Sequence, residues 1–331
     1  MLLGPPFLRT HNTNEHGRRI HDGSLVSKSD TATFVAMGGP SRRAEGAERA
    51  LDGPSHGDDA VELVIEAGKV EQLYWRDVWR YREMMYVLAW RDIVVRYKQT
   101  VIGVAWAVLR PLLTILVFTL VFHRIANLSS GTVPYVLVVA AAMLPWQFFA
   151  TALSEASGSL LGNAGLVSKI YFPRLLLPAS AVVTSLVDFA IALVCTLLLQ
   201  IALGELPDWR VVALPAFTLL AFAAALGTGL WLAALNTMYR DFRFIVPFLV
   251  QFGLYVSPVG FVTTEVPARF RLLYALNPMV GAIDGFRWAM LRGQSSLSGT
   301  EIGLSCAISL TLLVSGVLFF RRMERTFADL I

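Results

Sequence analysis

From about Val104 onward the chain alternates between apolar stretches of seventeen or more residues and short polar or basic connectors. An α-helix needs roughly 20 apolar residues to cross a hydrocarbon core about 30 Å thick, so each stretch has the length of a transmembrane helix. Five of them lie near 104–122, 135–153, 177–203, 211–235 and 302–320, and a sixth starts near Ile245 and meets Pro258. The pattern therefore predicts an all-α polytopic membrane protein with six spans, its permease domain covering 104–320.

The remaining segments have their own character. Residues 1–60 mix Gly, Ser, Asn, His and Arg without sustained periodicity, which predicts a disordered cytoplasmic tail. They contain no apolar run of the secretory type. Residues 70–99 interleave aromatic and aliphatic side chains with Arg76, Arg80, Arg82, Arg91, Arg96 and Lys98, which predicts an amphipathic helix at the cytoplasmic interface. The stretch 262–300 is too long for a plain loop and too broken, by Pro278, Gly281 and Gly285, for an ordinary span. The chain ends in a short basic tail, 321–331.

Composition agrees with lipid as the solvent: 55% of the 331 residues are hydrophobic and 16% are charged. The net charge of +4 is not a nucleic-acid signal, because the basic residues sit in small clusters between apolar stretches rather than in one stripe. Counted by side, thirteen Lys and Arg fall with the N-terminal helix, the loops after spans two and four and the tail. Six, Arg287 and Arg292 among them, fall opposite. The positive-inside rule then puts both termini in the cytoplasm. Cys195 and Cys306 lie inside apolar stretches and imply no disulfide framework, and four of the five histidines sit in the leader, so a metal site is not expected.

No G-x-x-x-x-G-K-[ST] loop occurs, so the chain carries no P-loop ATPase site, and no G-x-S-x-G or H-E-x-x-H marks a hydrolase. Asp188 lies near the middle of span three, where a carboxylate needs a partner or water, and Arg110 on span one is the nearest candidate by depth. An ion pair is the structural reading of the two; a substrate contact or a proton-coupled transporter is the functional one. Gly158 and Gly162 make a G-x-x-x-G at the inner end of span two, a spacing that also arises by chance. Aromatic residues are plentiful. Trp106, Trp146, Phe149, Tyr255, Phe286 and Trp288 are candidates for the wall of a translocation pathway, although Trp and Tyr also gather at both membrane interfaces.

Four segments in order, "RDIVVRYKQTVIGVAWAVLRPLLTILVFTLVF", "LVSKIYFPRLLLP", "NTMYRDFRFIVPF" and "LNPMVGAIDGFRWAML", resemble the permease subunits of type-2 ABC exporters that move O-antigen, capsular polysaccharide or teichoic acid. The likeness covers residues 80–325. The long leader departs from the pattern, as does Arg110, where an uncharged residue is expected. The resemblance implies a homodimer of six-span permeases in a bacterial inner membrane, paired with two ATPase subunits that hold ATP and Mg, while this chain has no cofactor and no enzymatic site. It implies that 262–300 re-enters the membrane as short helices; a soluble external lid is the alternative from composition.

It also makes the loop after span two, about 154–173, a coupling helix on the ATPase. Lys169, Tyr171, Phe172, Pro173 and Arg174 form its basic and aromatic patch, and Arg240, Asp241 and Arg243 offer a second contact. Read from the residues alone, the same patch is equally an interfacial anchor. The implied cargo is a lipid-linked glycan, with membrane lipids as surroundings. An ABC permease for drugs or other lipids and a membrane-embedded glycan-modifying enzyme are the other readings.

Overall fold

The computed structural model describes residues 71–98, 101–125, 133–294 and 297–327, all within one unit, 65–331. The leader 1–60 lies outside the described residues. All of the regular structure among them is helical. Four helices have the length and apolarity of a membrane span: α4 (Tyr135–Gly162), α6 (Leu176–Ala202), α7 (Leu214–Met238, entered through a 3₁₀ turn Trp209–Ala213) and α11 (Gly299–Glu324). Two further apolar helices are shorter. α3 (Val101–Thr119) passes into a π-helical segment Leu120–Ile125, and α8 (Phe242–Val256) has 15 residues, or about 22 Å at 1.5 Å per residue. The chain is thus an all-helical polytopic membrane protein.

Helix α4 is the axis of the bundle. It is apolar and buried over most of its length, and its small residues Ala140, Ala141, Ala142, Ala152 and Ala156 let α6 and α7 approach closely. The tightest crossing is between α7 and α11. A methyl group added at Gly227 would stand 2.5 Å from the backbone of Leu312 and Leu313, and one at Gly316 would collide with the carbonyl of Gly227. The G-x-x-x-G spacing at Gly158 and Gly162 marks no close crossing within the chain: a Cβ at either position meets nothing within 4 Å.

Several hydroxyls in the bundle are satisfied within their own helix, which suits a surrounding of lipid. Thr184, Ser185, Thr196 and Thr237 donate to carbonyls four residues back. Two amides reach across: Asn236 Nδ2 donates to the Ser157 carbonyl at 2.9 Å and Gln200 Nε2 to that of Met290 at 2.8 Å. The first ties the end of α7 to α4, the second the end of α6 to the segment before α11.

That segment holds a 3₁₀ turn Thr263–Glu265, α9 (Ala268–Tyr274) and α10 (Pro278–Met290). Asn277 caps α10 by accepting from the Met279 N–H, with Pro278 at the first helical position, where its missing N–H costs nothing. The helix begins against Ser305, partway down α11, and returns to the end where Gln200 meets Met290. A helix that starts inside the bundle and comes back out is the re-entrant arrangement implied for 262–300.

The predicted single interface helix differs from what forms. It is two helices, α1 (Glu71–Arg80) and α2 (Arg82–Lys98), broken at Tyr81. α2 runs alongside the first half of α6: Leu88 packs with Leu176, Arg91 and Val95 lie near Ala181 and Thr184, and Arg96 and Tyr97 reach Asp188. Its basic residues therefore do not all face the headgroups: Arg96 is drawn inward by a carboxylate halfway along α6, while Lys98 is exposed.

Candidate functional site

Two regions of the bundle carry the predicted site residues. The first lies at the end where α4 and α7 finish and α6 starts. After Gly162 the chain makes the one-turn helix α5 (Ala164–Val167) and an irregular stretch up to Leu175. Within it Lys169, Ile170 and Tyr171 are exposed, whereas Phe172 and Pro173 are buried, Phe172 among Leu160, Leu176 and Phe320. The patch predicted as one surface is thus a projecting knob of three residues on a buried root.

Arg174 belongs to the root. Its backbone N–H donates to Glu324 Oε1 at 2.7 Å and its guanidinium to the Glu324 carbonyl at 2.7 Å, which fastens the start of α6 to the end of α11. One turn earlier Arg321 lies over the rings of Tyr74 and Trp75, its guanidinium carbon 4.5 Å and 5.8 Å from their centroids. Burial, followed by the Glu324 carboxylate, raises the Tyr74 phenol well above its usual pKa, so it stays protonated at any physiological pH. Burial also raises Tyr171. Glu324, Arg321 and Tyr74 escaped the sequence reading because α1 and α11 meet only through the fold. Arg240, Asp241 and Arg243 are all exposed at the turn into α8, on this same end, since Asn236 anchors that turn to α4.

The second region is a cavity of about 540 Å³ between α2, α3, α4, α6 and α8. It runs along α4 from Met143 to Glu155, around the middle of that helix, and Trp146, Phe148 and Phe189 supply aromatic walls. Asp188 opens onto it, but its partner is not Arg110. Arg96 donates to Asp188, as does the Tyr97 hydroxyl, and the second guanidinium nitrogen of Arg96 bonds Glu155 at 2.9 Å. Arg110 is exposed, lines the same cavity and makes no ion pair among the described residues. The expected pairing by depth failed because α2 rises beside α6 and brings Arg96 to the carboxylate first.

The aromatic candidates separate. Trp146 lines the cavity and abuts Gly253 of α8; Phe149 is buried beside it, ring centroids 5.6 Å apart. Tyr255 is exposed on α8, where Phe248 and Phe252 stack along one ridge. Trp288 sits edge-to-face with exposed Trp209, and Arg210 lies over both rings at 5.4 Å and 5.6 Å. Phe286 is a correction: it has no exposed surface and packs on Phe189 in the core, so here it is a packing residue. The side chain of Trp106 lies outside the described residues.

Arg287 is a second correction. Counted from sequence as a charge outside the membrane, it is 1% exposed, and it donates to three carbonyls, those of Phe261 (2.8 Å), Val259 (3.0 Å) and Val138 (3.4 Å), with Asp284 at 3.9 Å. An opposite-charge pair three apart inside an apolar helix, Asp284 and Arg287, was the available signal.

Beyond the long apolar helices, the re-entrant pair before the last of them and the knob between α4 and α6, comparison with known proteins decides the family. The sequence profile of the ABC-2 type transporter family matches residues 83–291. This chain belongs to the ABC-2 type transporter family. It is 29% identical over 256 residues to the O-antigen export system permease protein RfbA of Myxococcus xanthus, covering 77% of this chain and 97% of that relative. To the RfbA protein of Klebsiella pneumoniae it is 23% identical, over 75% of this chain and 95% of the relative. To the polysialic acid transport protein KpsM of Escherichia coli it is 20% identical, over 71% and 91%. The matched region of this ABC-2 chain begins in α2 and ends just past α10, so the cavity, the knob and the re-entrant pair all fall within it.

The ion network beside the cavity makes a measurable contribution. Asp188 and Arg96 are each about a third exposed, at 29% and 31%, so replacing Asp188 with Leu should cost about 1–2 kcal/mol, less than for a fully buried pair. In a double-mutant cycle on thermal unfolding of the detergent-solubilised protein, Arg96→Gln with Asp188→Asn should cost less than the sum of the single changes. Strict additivity would show that the two do not interact.

Proposed function

We propose that this chain is the permease half of an ABC exporter that moves a lipid-linked polysaccharide of O-antigen or capsule type across a bacterial inner membrane. The observation that carries this reading is that polysaccharide-export relatives align with the chain over 97%, 95% and 91% of their own lengths. A mid-depth cavity combining aromatic walls with fixed polar groups supports it, because sugar rings offer both hydroxyls and weakly apolar faces.

In this reading α3 and α8 supply the fifth and sixth crossings, both termini are cytoplasmic and two copies of the chain face each other. Two ATPase subunits, holding ATP and Mg, dock beneath. The exposed Lys169–Tyr171 knob and the Arg240–Arg243 turn are the docking surface, and the excess of Lys and Arg at that end supports a cytoplasmic position. Closure of the ATPases pushes on the knob; the Arg174–Glu324 clamp passes the displacement to α11, and Arg321 passes it on to α1. No covalent chemistry takes place on this chain.

The test uses the permease expressed with its partner ATPase. Changing the exposed pair, Lys169→Glu with Tyr171→Ala, should lower surface glycan at least tenfold, an effect of roughly 1.4 kcal/mol on coupling, while the protein still reaches the membrane in normal amount. Glycan export at the wild-type level in that variant would sink the docking assignment, and export in a strain lacking the chain would sink the reading as a whole.

A further inference from the structure

The cavity around the middle of α4 has a neighbour on the knob's side, an open crevice of about 420 Å³ between α2, α4 and α6. Along α4 the crevice takes Glu155 to Asn163 and the cavity Met143 to Glu155; along α6 the crevice takes Ala181 and Thr184 and the cavity starts at Ser185. Two residues line both spaces, Arg96 and Glu155, and they are bonded to each other at 2.9 Å. Arg96 also donates to Asp188, as does the Tyr97 hydroxyl, so a single ion network stands at the junction. Arg91 fixes the other lip of the crevice by donating to Asn163 Oδ1 at 2.9 Å.

This network is built differently from the one around Arg287. The side chains of Arg96, Glu155 and Asp188 are 31%, 47% and 29% exposed, against 1% for Arg287. Ion pairs open to water are held weakly and exchange partners without the penalty of a buried pair. A second partner is present. The cavity is lined by two arginines and two carboxylates; Arg96 takes both carboxylates, and Arg110 makes no ion pair among the described residues. Pro111 follows Arg110 inside α3 and removes one rung of its hydrogen-bond ladder, which gives that helix a place to bend.

We infer that Arg96 is the latch of an inner gate between crevice and cavity, and that Arg110 receives the released carboxylates when α2 moves away from α4 and α6. Opening without a second cation would strand Glu155 and Asp188 at a depth where unpaired charge is costly. Arg110 removes that cost, which accounts for a charge on α3 that the closed arrangement leaves unpaired. The drive is the displacement traced above to α1, which continues into α2 across the break at Tyr81. The handover to Arg110 therefore rests on the export reading, whereas the closed gate does not.

The test is cysteine accessibility in inverted membrane vesicles that hold the permease with its partner ATPase, in a background of Cys195→Ala and Cys306→Ala. The membrane-impermeant thiol reagent MTSET is applied to Gly162→Cys in the crevice and to Thr151→Cys in the cavity. Without nucleotide, Thr151→Cys should react about tenfold more slowly than Gly162→Cys. Arg96→Gln should abolish most of that difference by speeding Thr151→Cys alone, and Arg96→Lys should keep much of it, which separates loss of the latch from misfolding. ATP should speed Thr151→Cys when Arg110 is present and in Arg110→Lys, but not in Arg110→Gln. Equal rates at the two cysteines with Arg96 intact, or a Thr151→Cys rate unchanged by Arg96→Gln, overturn the gate. An ATP response that is absent with Arg110 intact, or that survives Arg110→Gln, overturns the handover. Glycan display by a strain lacking the chain would sink the export reading and leave the nucleotide-free contrast untouched.

Discussion

Replacing Gly227 with Leu should leave little folded permease in the membrane. The position is where α7 and α11 touch backbone to backbone, so the new side chain meets main-chain atoms of Leu312 and Leu313, which have no rotamer to change. The crossing has to open, and with it the contact between Gly316 and the Gly227 carbonyl on the facing helix. Overpacking of a rigid core costs typically 1–3 kcal/mol for added methylenes. A four-carbon side chain against backbone should exceed that range, which is a large share of the total stability of a folded domain. The matching control is Gly158→Ala or Gly162→Ala, where the space beside each Cα is open and removal of a helical glycine should stabilise by about 0.5–1 kcal/mol. Thermal unfolding in detergent compares the variants. A wild-type melting temperature for Gly227→Leu would show that the crossing is not a fixed contact.

That contrast also marks where sequence stops being informative. Gly158 and Gly162 advertise themselves by spacing within one helix, yet neither packs against a neighbour. Gly227 and Gly316 meet across two helices with no local pattern to connect them. The long apolar helices were legible because lipid imposes a length and a composition on each segment by itself. The re-entrant pair was half legible: Asn277 and Pro278 announce a helix start, and the surrounding charges and glycines rule out a plain span. The path of α2 was not. Its mixture of Arg and aromatic residues satisfies an interfacial helix as well as one that climbs beside α6, and only the position of Asp188 distinguishes the two. From the same cause the carboxylate was assigned to Arg110 instead of Arg96.

At the candidate docking end, exposure of Lys169 and Tyr171 followed the expectation for a surface patch, while Phe172 and Pro173 turned inward because the apolar ends of α4, α6 and α11 leave a pocket for them. Arg174 could not be separated from Lys169 by composition. Its tie to Glu324 spans 150 residues, a pairing that no periodicity encodes.

The loss of Arg287 should be comparably severe, for a different reason. Its guanidinium is the donor to the carbonyls of Val259, Phe261 and Val138, and so joins the bend after α8 to the first turn of α4. Tyr135 reinforces the same junction by donating to the Gly260 carbonyl at 2.8 Å. In Arg287→Leu those carbonyls lose their partner, at about 1–3 kcal/mol for each buried acceptor left unmet, those of Val259 and Val138, and Asp284 loses the cation beside it. Arg287→Lys keeps the charge but has one nitrogen in place of a fork, so it can serve one or two of the carbonyls and should fall between wild type and Leu. Adding Asp284→Asn to Arg287→Leu removes the stranded charge and should recover part of the loss, since a neutral amide costs less to bury than an unpaired carboxylate. Because the bend follows directly from α8, which carries Leu254 to the cavity wall, partial rescue of folding by Lys should still leave export reduced. Unfolding temperature and surface glycan measured on the three variants give the ordering; a Leu variant as stable as wild type would mean that the carbonyls of the bend find other donors.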